Sequence, residues 1–292
     1  MRISNAGLFL IPSLIWGSTW HAITFQLGSV APELSVAYRF ALASVMVAAW
    51  CVASGRSLAF ARAEHPWLLA MGATFFGFNY IAIYWAERYV ASGLVAVVFS
   101  TIVFMSPIGM RVAYGERMTV RTLVAAAMGV SGIALLFLPE LSAAGEGGSA
   151  ARGIALTLVA TVLAMLGNLI AVRNHRARLP TLPATAWGML YGALISFAVA
   201  ALTGVPWTFE RTTQYVLSLA YLALFGSVFA FAAYLTLLAR VGAGPSSFIG
   251  VATPVIALVL STLFEGYRWT WIGAVGLVLA VSGNWLALRR KR

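Results

Sequence analysis

Residues 88–132 read RYVASGLVAVVFSTIVFMSPIGMRVAYGERMTVRTLVAAAMGVSG, and residues 240–283 read RVGAGPSSFIGVATPVIALVLSTLFEGYRWTWIGAVGLVLAVSG. Two apolar segments joined by a short charged turn thus occur twice, half a chain apart, which indicates an internal duplication. Chance similarity between leucine- and alanine-rich segments is the alternative, and a constant offset of 151 across several residue types argues against it. The pairs at that offset include Val90/Val241, Gly93/Gly244, Arg117/Arg268, Thr119/Thr270 and, earlier in the chain, Pro32/Pro183.

The composition places the whole chain in a membrane. It is 61% hydrophobic and only 9% charged, a balance that a soluble domain of this size does not tolerate. Apolar runs of about 20 residues recur, each long enough to cross a hydrocarbon core of about 30 Å as a helix. They lack the period-two alternation of barrel strands. The sequence therefore predicts an all-α integral membrane protein with ten transmembrane helices: Asn5–Leu27, Leu34–Ala53, Pro66–Glu87, Ser92–Val112, Thr119–Leu138, Gly153–Val172, Ala184–Thr203, Thr212–Ala239, Pro245–Phe264 and Trp269–Leu288.

The basic residues predict the orientation. The net charge of +11 is spread over the loops in a pattern typical of a membrane protein, not of a nucleic-acid-binding one. With a cytoplasmic amino terminus, 14 basic residues fall in inner loops and 4 in outer loops, so the positive-inside rule places both termini in the cytoplasm. Five helices per half then make the second repeat inverted with respect to the first. The predicted division is a first repeat at 1–138, an extracytoplasmic linker at 139–152, and a second repeat at 153–292 with a basic tail.

A polar solute that crosses a bilayer needs hydrogen-bonding groups that replace its water, at a depth that lipid cannot reach. Each candidate also has a structural interpretation: the asparagines can bond helix to helix, the tyrosine stripe can be ordinary packing, and His21 can bond a backbone carbonyl. We expect Arg39 to extend to the outer face or to pair with an outer glutamate, and a role in binding a substrate carboxylate is the alternative. The substrate-binding candidates are Trp16, Trp20, His21, Asn79, Tyr80, Tyr84, Ser100 and Asn168, and the candidate helix bends are Gly17, Pro107, Gly167 and Pro254.

Other function classes find little support. The chain has no aspartate and no HExxH motif, and of its three histidines only His21 lies in a predicted span, so no enzyme, cofactor or metal site is predicted. Cys51 is the single cysteine, which excludes an intrachain disulfide. A channel would need a ring of carboxylates or a filter-like loop. An exporter of cationic drugs or a flippase-like carrier of amphipathic compounds is the closest alternative, although cation carriers usually keep a membrane carboxylate.

Three short motifs and the repeat resemble a known family. Trp16-Gly17-Ser18, Arg39-Phe40 after Pro32, and Gly115-Glu116-Arg117 follow the pattern of the drug/metabolite transporter superfamily, in its ten-helix group with two EamA-type repeats. The second half departs from the pattern, with Phe264-Glu265-Gly266 at the third motif. The resemblance implies a central cavity lined by helices one, three, four, six, eight and nine, with helices five and ten at the periphery. Within the superfamily, the chain is similar to bacterial exporters of amino acids, including the aromatic ones.

The sequence thus predicts a multi-pass carrier of the bacterial inner membrane that exports small metabolites, or facilitates their passage, by alternating access. Its expected partners are the lipid bilayer and a small-molecule substrate, chiefly aromatic and other neutral amino acids, with no nucleic acid. Which amino acids, the net direction and the oligomeric state stay open. Uncoupled transport is favoured, because the eight acidic residues all lie in loops or within about a turn of a predicted helix end.

Overall fold

The structure, a computed structural model, describes residues 4–115, 118–143, 149–241 and 249–288. Within these ranges the chain is helical and contains no β-strand. In chain order the helical segments are α1 (Asn5–Thr24), α2 (Pro32–Ala53), α3 (Arg62–Ala86), α4 (Ser92–Tyr114), α5 (Val120–Ala143), α6 (Ser149–Arg176), α7 (Thr181–Leu202), α8 (213–241), α9 (Ile249–Phe264) and α10 (Trp271–Leu288).

The predicted all-α class is confirmed for the described residues. Seven helices there are long and apolar enough to cross a membrane, and α5, α9 and α10 contribute shorter apolar helices. The count of ten spans and the orientation of the termini stay predictions. The predicted start of the ninth span at Pro245 lies outside the described residues, as does the middle of the linker, 144–148.

Local sequence explains several helix ends. Ser4 precedes α1, and its hydroxyl accepts a hydrogen bond from the Gly7 amide, as an N-cap does. Pro32 occupies the first turn of α2, where its missing N–H costs nothing. Gly115 ends α4 with φ of 70°, and its amide bonds back to the Arg111 carbonyl. The short polar connections therefore terminate the apolar runs close to where the sequence predicts.

Two helices contain a π-helical turn that the sequence does not predict. One covers Gly72–Gly77 within α3, and the other covers Leu222–Phe229 within α8. Each lies in the third helix of its half, and Gly72 and Ala223 are separated by the repeat offset of 151. A π turn inside an α-helix is rare and frequent at functional sites. The two halves therefore share a local distortion as well as sequence.

Helix packing also follows the duplication. α2 packs chiefly against α7, and α5 against α10, so equivalent helices of the two halves meet. The contacts of α3 with α7 are matched by those of α8 with α2, and the contacts of α1 with α9 by those of α6 with α4. Most of the extensive interhelical contacts therefore join one half to the other.

Glycines allow the closest of these approaches. A Cβ atom at Gly276 of α10 would lie 2.5 Å from the Gly132 carbonyl oxygen of α5. In α7, a Cβ at Gly192 would lie 2.6 Å from the Cβ of Phe76 in α3. Small residues at such crossings bring helix backbones together, which is a main source of packing energy in a bilayer.

Candidate substrate site

Two tryptophans of α1 contact helices on different sides. The indole Nε1 of Trp16 donates to the Gly226 carbonyl in the π turn of α8, at 3.0 Å, and its ring packs on Phe231. Trp20 is buried and packs on Phe99 of α4, with ring centroids 5.4 Å apart. Both candidates thus lie in helix contacts.

His21 belongs to a group of side chains that we call the outer latch, after the side that the predicted orientation gives it: His21, Ser92, Ser261 and Glu265. The His21 Nδ1 lies 2.9 Å from Glu265 Oε1 at the end of α9. The Glu265 carboxylate also accepts from the Ser92 amide at 2.8 Å and from its hydroxyl at 2.5 Å. Ser261 accepts from the Gly93 amide at 2.8 Å. The outer latch therefore ties α1 and the first turn of α4 to the end of α9.

Arg39 lies inside the helix bundle, so the expectation that it extends to the outer face is wrong. Its side chain is 2% exposed, and no carboxylate among the described residues lies within 4.0 Å of it. The guanidinium carbon lies 4.6 Å from the centroid of the Tyr80 ring, a cation–π contact. The aromatic rings of α3 thus replace the solvent that Arg39 was expected to reach.

Tyr84 lies one turn beyond Tyr80 and is fully buried. Its hydroxyl donates to Gln26 Oε1 at the end of α1, at 2.9 Å. The predicted stripe on α3 is therefore partly polar in its contacts: Tyr80 faces a cation, Tyr84 makes a hydrogen bond, and Phe76 packs on Phe40.

The remaining polar candidates occupy separate places. Asn79 is buried and donates to the Phe75 carbonyl of its own helix at 3.1 Å, while its Oδ1 has no hydrogen-bond partner. Ser100 accepts from Asn284 of α10 at 3.0 Å. Asn168 is half-buried in α6. The structure therefore does not gather these three into one cluster.

The predicted bends lie at close contacts or within continuous helices. A Cβ at Gly17 would lie 2.6 Å from Ile256 of α9, and one at Gly167 would lie 2.6 Å from Phe75 of α3. Pro107 and Pro254 lie inside helical segments of α4 and α9. The interruption in α4 falls at residues 100–101, between the segments Ser92–Phe99 and Ile102–Tyr114.

A cavity of about 520 Å³, here called the outer cup after the same predicted orientation, lies between the α3–α4 and α9–α10 connections. Its lining is rich in charged and tyrosine side chains, and it includes two glutamates, Glu87 and Glu265. A second cavity of about 170 Å³ lies in an apolar groove between α2 and α7, away from the candidates. In the loop between α7 and α8, the Glu210 carboxylate accepts from Ser29 Oγ at 2.7 Å, and hydrogen bonds from Thr212 and then Ser29 lower the pKa of Glu210.

Sequence reasoning missed three residues of this region: Gln26, Glu87 and Glu265. Gln26 and Glu87 lie at the ends of two predicted spans, and Glu265 directly follows a third, where a polar side chain normally reaches the membrane surface. In the structure Gln26 and Glu87 are buried and Glu265 is half-buried. The partners of Gln26 and Glu265 come from distant helices, which no local pattern reveals, and neither oxygen of Glu87 has a hydrogen-bond partner.

The two-fold helical packing, the apolar helices and the absence of strands among the described residues define a multi-pass membrane protein built from two equivalent halves. The chain belongs to the EamA-like transporter family, whose family model matches residues 4–138 and 151–289. It is therefore a multi-pass inner-membrane transporter, which confirms the predicted resemblance and localisation.

Curated relatives cover nearly the whole chain. The chain is 23% identical to Protein PagO of Salmonella typhimurium, over 98% of this chain and 93% of that one. It is 25% identical to the uncharacterized inner membrane transporter YedA of Escherichia coli K12, over 94% and 89%. It is 26% identical to a probable amino-acid metabolite efflux pump of the same organism, over 98% and 95%. A crystal structure with 19% identity matches with a TM-score of 0.70 over 97% of both chains, which shows a shared fold.

Proposed function

We propose that this protein exports small metabolites, chiefly aromatic and other neutral amino acids, or facilitates their passage, by alternating access through a cavity between its two halves. One observation carries the proposal: two candidate residues of α1 bond to the second half. Trp16 bonds to Gly226, and His21 bonds to Glu265. Movement of one half against the other would break or form these contacts, which is what alternating access requires.

The proposal includes the topology. Ten spans, α1 to α10, form two inverted repeats at 1–138 and 153–292, joined by an extracytoplasmic linker at 139–152, with both termini in the cytoplasm. The connections that hold the outer latch and the outer cup then face the outside, and the Arg173–Glu64 ion pair joins the inner ends of α6 and α3.

The substrate class rests on chemistry and on one relative. Trp16, Asn79, Tyr80 and Tyr84 form the first group of proposed substrate contacts, because they offer rings and hydrogen-bonding groups to an amino acid. Trp20, His21, Ser100 and Asn168 form a second group, and Gly17, Pro107, Gly167 and Pro254 are proposed as the positions at which helices bend. A relative is named a probable amino-acid metabolite efflux pump, which supports amino acids for this chain.

A cationic substrate fits the site less well. Arg39 lies against Tyr80, so a buried positive charge occupies the region where a drug cation would stack on aromatic rings. Two cations that contact the same aromatic ring in a poorly solvated site repel each other by several kcal/mol. A carrier rather than an enzyme is also what the relatives' names support.

Transport by purified protein in liposomes tests the proposal. Labelled phenylalanine, tryptophan and leucine are compared with a lipophilic cationic dye, in vesicles with and without the protein. Protein-dependent movement of amino acids but not of the dye is the expected result. Movement of the dye alone would establish the cation carrier instead.

A further inference from the structure

Four polar side chains from three helices meet inside the bundle near its outer side. We call them the Arg39 cluster: Gln26 after α1, Arg39 in α2, Tyr84 in α3 and Glu87 just after α3. Their exposed fractions are 0%, 2%, 0% and 8%. They are therefore shielded from solvent as completely as the hydrophobic core.

The cluster has hydrogen-bonding atoms without partners. Arg39 leaves Nε and Nη1 unpaired, Glu87 leaves both carboxylate oxygens unpaired, and Gln26 leaves Nε2 unpaired. Arg39 and Glu87 do not satisfy each other, because neither forms an ion pair within 4.0 Å among the described residues. A buried charge without a partner costs several kcal/mol. Arg39 can therefore bind an anionic group, and Glu87 can bind a cationic group, in the same part of the bundle.

The relative placement of the two charges follows from α3. Tyr80, Tyr84 and Glu87 stand at i, i+4 and i+7, so they share one face of the helix. Arg39 contacts the Tyr80 ring at 4.6 Å, and Glu87 lies two turns beyond Tyr80 on that face, with Tyr84 between them. The guanidinium and the carboxylate therefore lie along one face of α3, on either side of Tyr84, without an ion pair within 4.0 Å.

This placement of Arg39 and Glu87 suits one kind of ligand. A guanidinium fork binds a carboxylate through two parallel N–H donors, and a carboxylate accepts from an ammonium group. A cation alone would be repelled by Arg39, and an anion alone would leave both Glu87 oxygens without a donor. An α-amino acid carries both groups on adjacent atoms and can satisfy both side chains together.

We propose that the Arg39 cluster binds the head group of a zwitterionic amino acid, with its carboxylate on Arg39 and its ammonium group on Glu87. Glu87 also lines the outer cup, so the cup is the route between this site and the outside. The inference rests on the proposed amino-acid transport and adds to it how the carrier recognises the class.

Competition by three matched molecules tests the site in the wild-type protein. Uptake of labelled L-phenylalanine into proteoliposomes is inhibited with L-phenylalanine, with L-phenylalaninamide, which lacks the carboxylate, and with 3-phenylpropionate, which lacks the ammonium group. Each lost charge-assisted hydrogen bond should weaken competition by about 10-fold or more. Equal competition by all three would overturn the site while amino-acid transport still stands. Absence of amino-acid transport would overturn both.

Two variants test which side chain binds the carboxylate and which binds the ammonium group of the amino acid. Arg39→Gln should remove most of the preference for phenylalanine over its amide, and Glu87→Gln most of the preference over 3-phenylpropionate. Arg152→Gln, at an exposed position of α6, and Glu210→Gln, in an outer loop, are the charge-matched controls and should keep both preferences. Full preferences in folded Arg39→Gln and Glu87→Gln proteins would overturn the assignment. If either variant fails to fold, the competition by the three molecules in the wild-type protein remains the test of the proposed site.

Discussion

The His21 imidazole of α1 bonds to the Glu265 carboxylate at the end of α9, with 2.9 Å between Nδ1 and Oε1. The two residues are 244 positions apart and belong to different repeats. The same carboxylate also accepts from the backbone amide of Ser92 in α4. One side chain thus holds three helices together at one end of the bundle.

Loss of the Glu265 carboxylate should open the outer side. In Glu265→Ala the outer latch loses its central acceptor, and hydrogen bonds to a charged group are each worth about 1.5–3 kcal/mol. A cysteine introduced by Ala22→Cys, buried beside His21, should then react with an impermeant thiol reagent about 10-fold faster from outside, in a Cys51→Ala background. The same substitution at Glu210, in the loop between α7 and α8, should leave the rate unchanged. No acceleration in Glu265→Ala would exclude the latch as a closing contact.

The Tyr84 hydroxyl should matter for transport beyond its effect on stability. Tyr84→Phe keeps the ring but leaves the buried Gln26 Oε1 without its donor, a cost of about 1–3 kcal/mol. Tyr38→Phe is the matched variant, because it removes a hydrogen bond to the Thr208 carbonyl in the outer loop. Uptake should fall several-fold in Tyr84→Phe and little in Tyr38→Phe at similar unfolding temperatures. Alanine at Trp16, Asn79 or Tyr80 should likewise reduce uptake, and normal uptake in all of them would refute the proposed contacts.

Single cysteines test the orientation. In the Cys51→Ala background, Arg211→Cys between α7 and α8 should be labelled by an impermeant reagent in intact spheroplasts. Arg56→Cys, between α2 and α3, should be labelled only after lysis. Both positions are exposed in the fold, so access depends on the side of the membrane. The opposite pattern would reverse the proposed topology.

The α5–α10 contact should not accept a methyl group at Gly276. The added Cβ would lie 2.5 Å from the Gly132 carbonyl oxygen, so the helices must move apart, and overpacking of this kind costs about 1–3 kcal/mol. Gly250→Ala in α9 is the control, since its Cβ would meet only Val103, at 3.7 Å. Thermal unfolding in detergent should show a lower midpoint for Gly276→Ala only. Equal midpoints would mean that the two helices pack less closely than described.

Energy coupling can be tested by counterflow. The chain has no aspartate, so uncoupled exchange should proceed in proteoliposomes without a pH gradient or a membrane potential. Accumulation above equilibrium under an imposed pH gradient would contradict uncoupled transport. His21→Asn and Glu87→Gln would then show which titratable side chain is responsible.

Much of the fold could be predicted because the bilayer allows few solutions. Backbone groups in hydrocarbon must bond within their own segment, so long apolar runs such as residues 32–53 and 181–202 can be helices on composition alone. The repeat then indicates which helices are equivalent. The π turns in α3 and α8 were not predictable, since they depend on which neighbouring group takes up a released carbonyl, as Trp16 does at Gly226.

The candidate site was predictable by residue type more than by arrangement. Aromatic and amide side chains in apolar runs drew attention to Trp16 and Tyr84. The structure adds the groups that they contact, and their contacts with substrate stay predictions. The prediction that Arg39 extends to the outer face is wrong. It was based on its position near a helix end, where a long cationic side chain normally reaches water. The surrounding helices bury Arg39 at that end of α2, and this burial depends on tertiary packing, which the local sequence does not reveal.

The pairing of α2 with α7 and of α5 with α10 has a consequence for biosynthesis. α2 and α5 each find their main partner about 150 residues later in the chain, so the contacts that fix their positions do not exist when they enter the bilayer. Individual membrane helices are stable before they associate. The first half should therefore remain in the membrane as a loosely associated set of helices, exposed to quality-control proteases, until translation of the second half supplies the opposing surfaces.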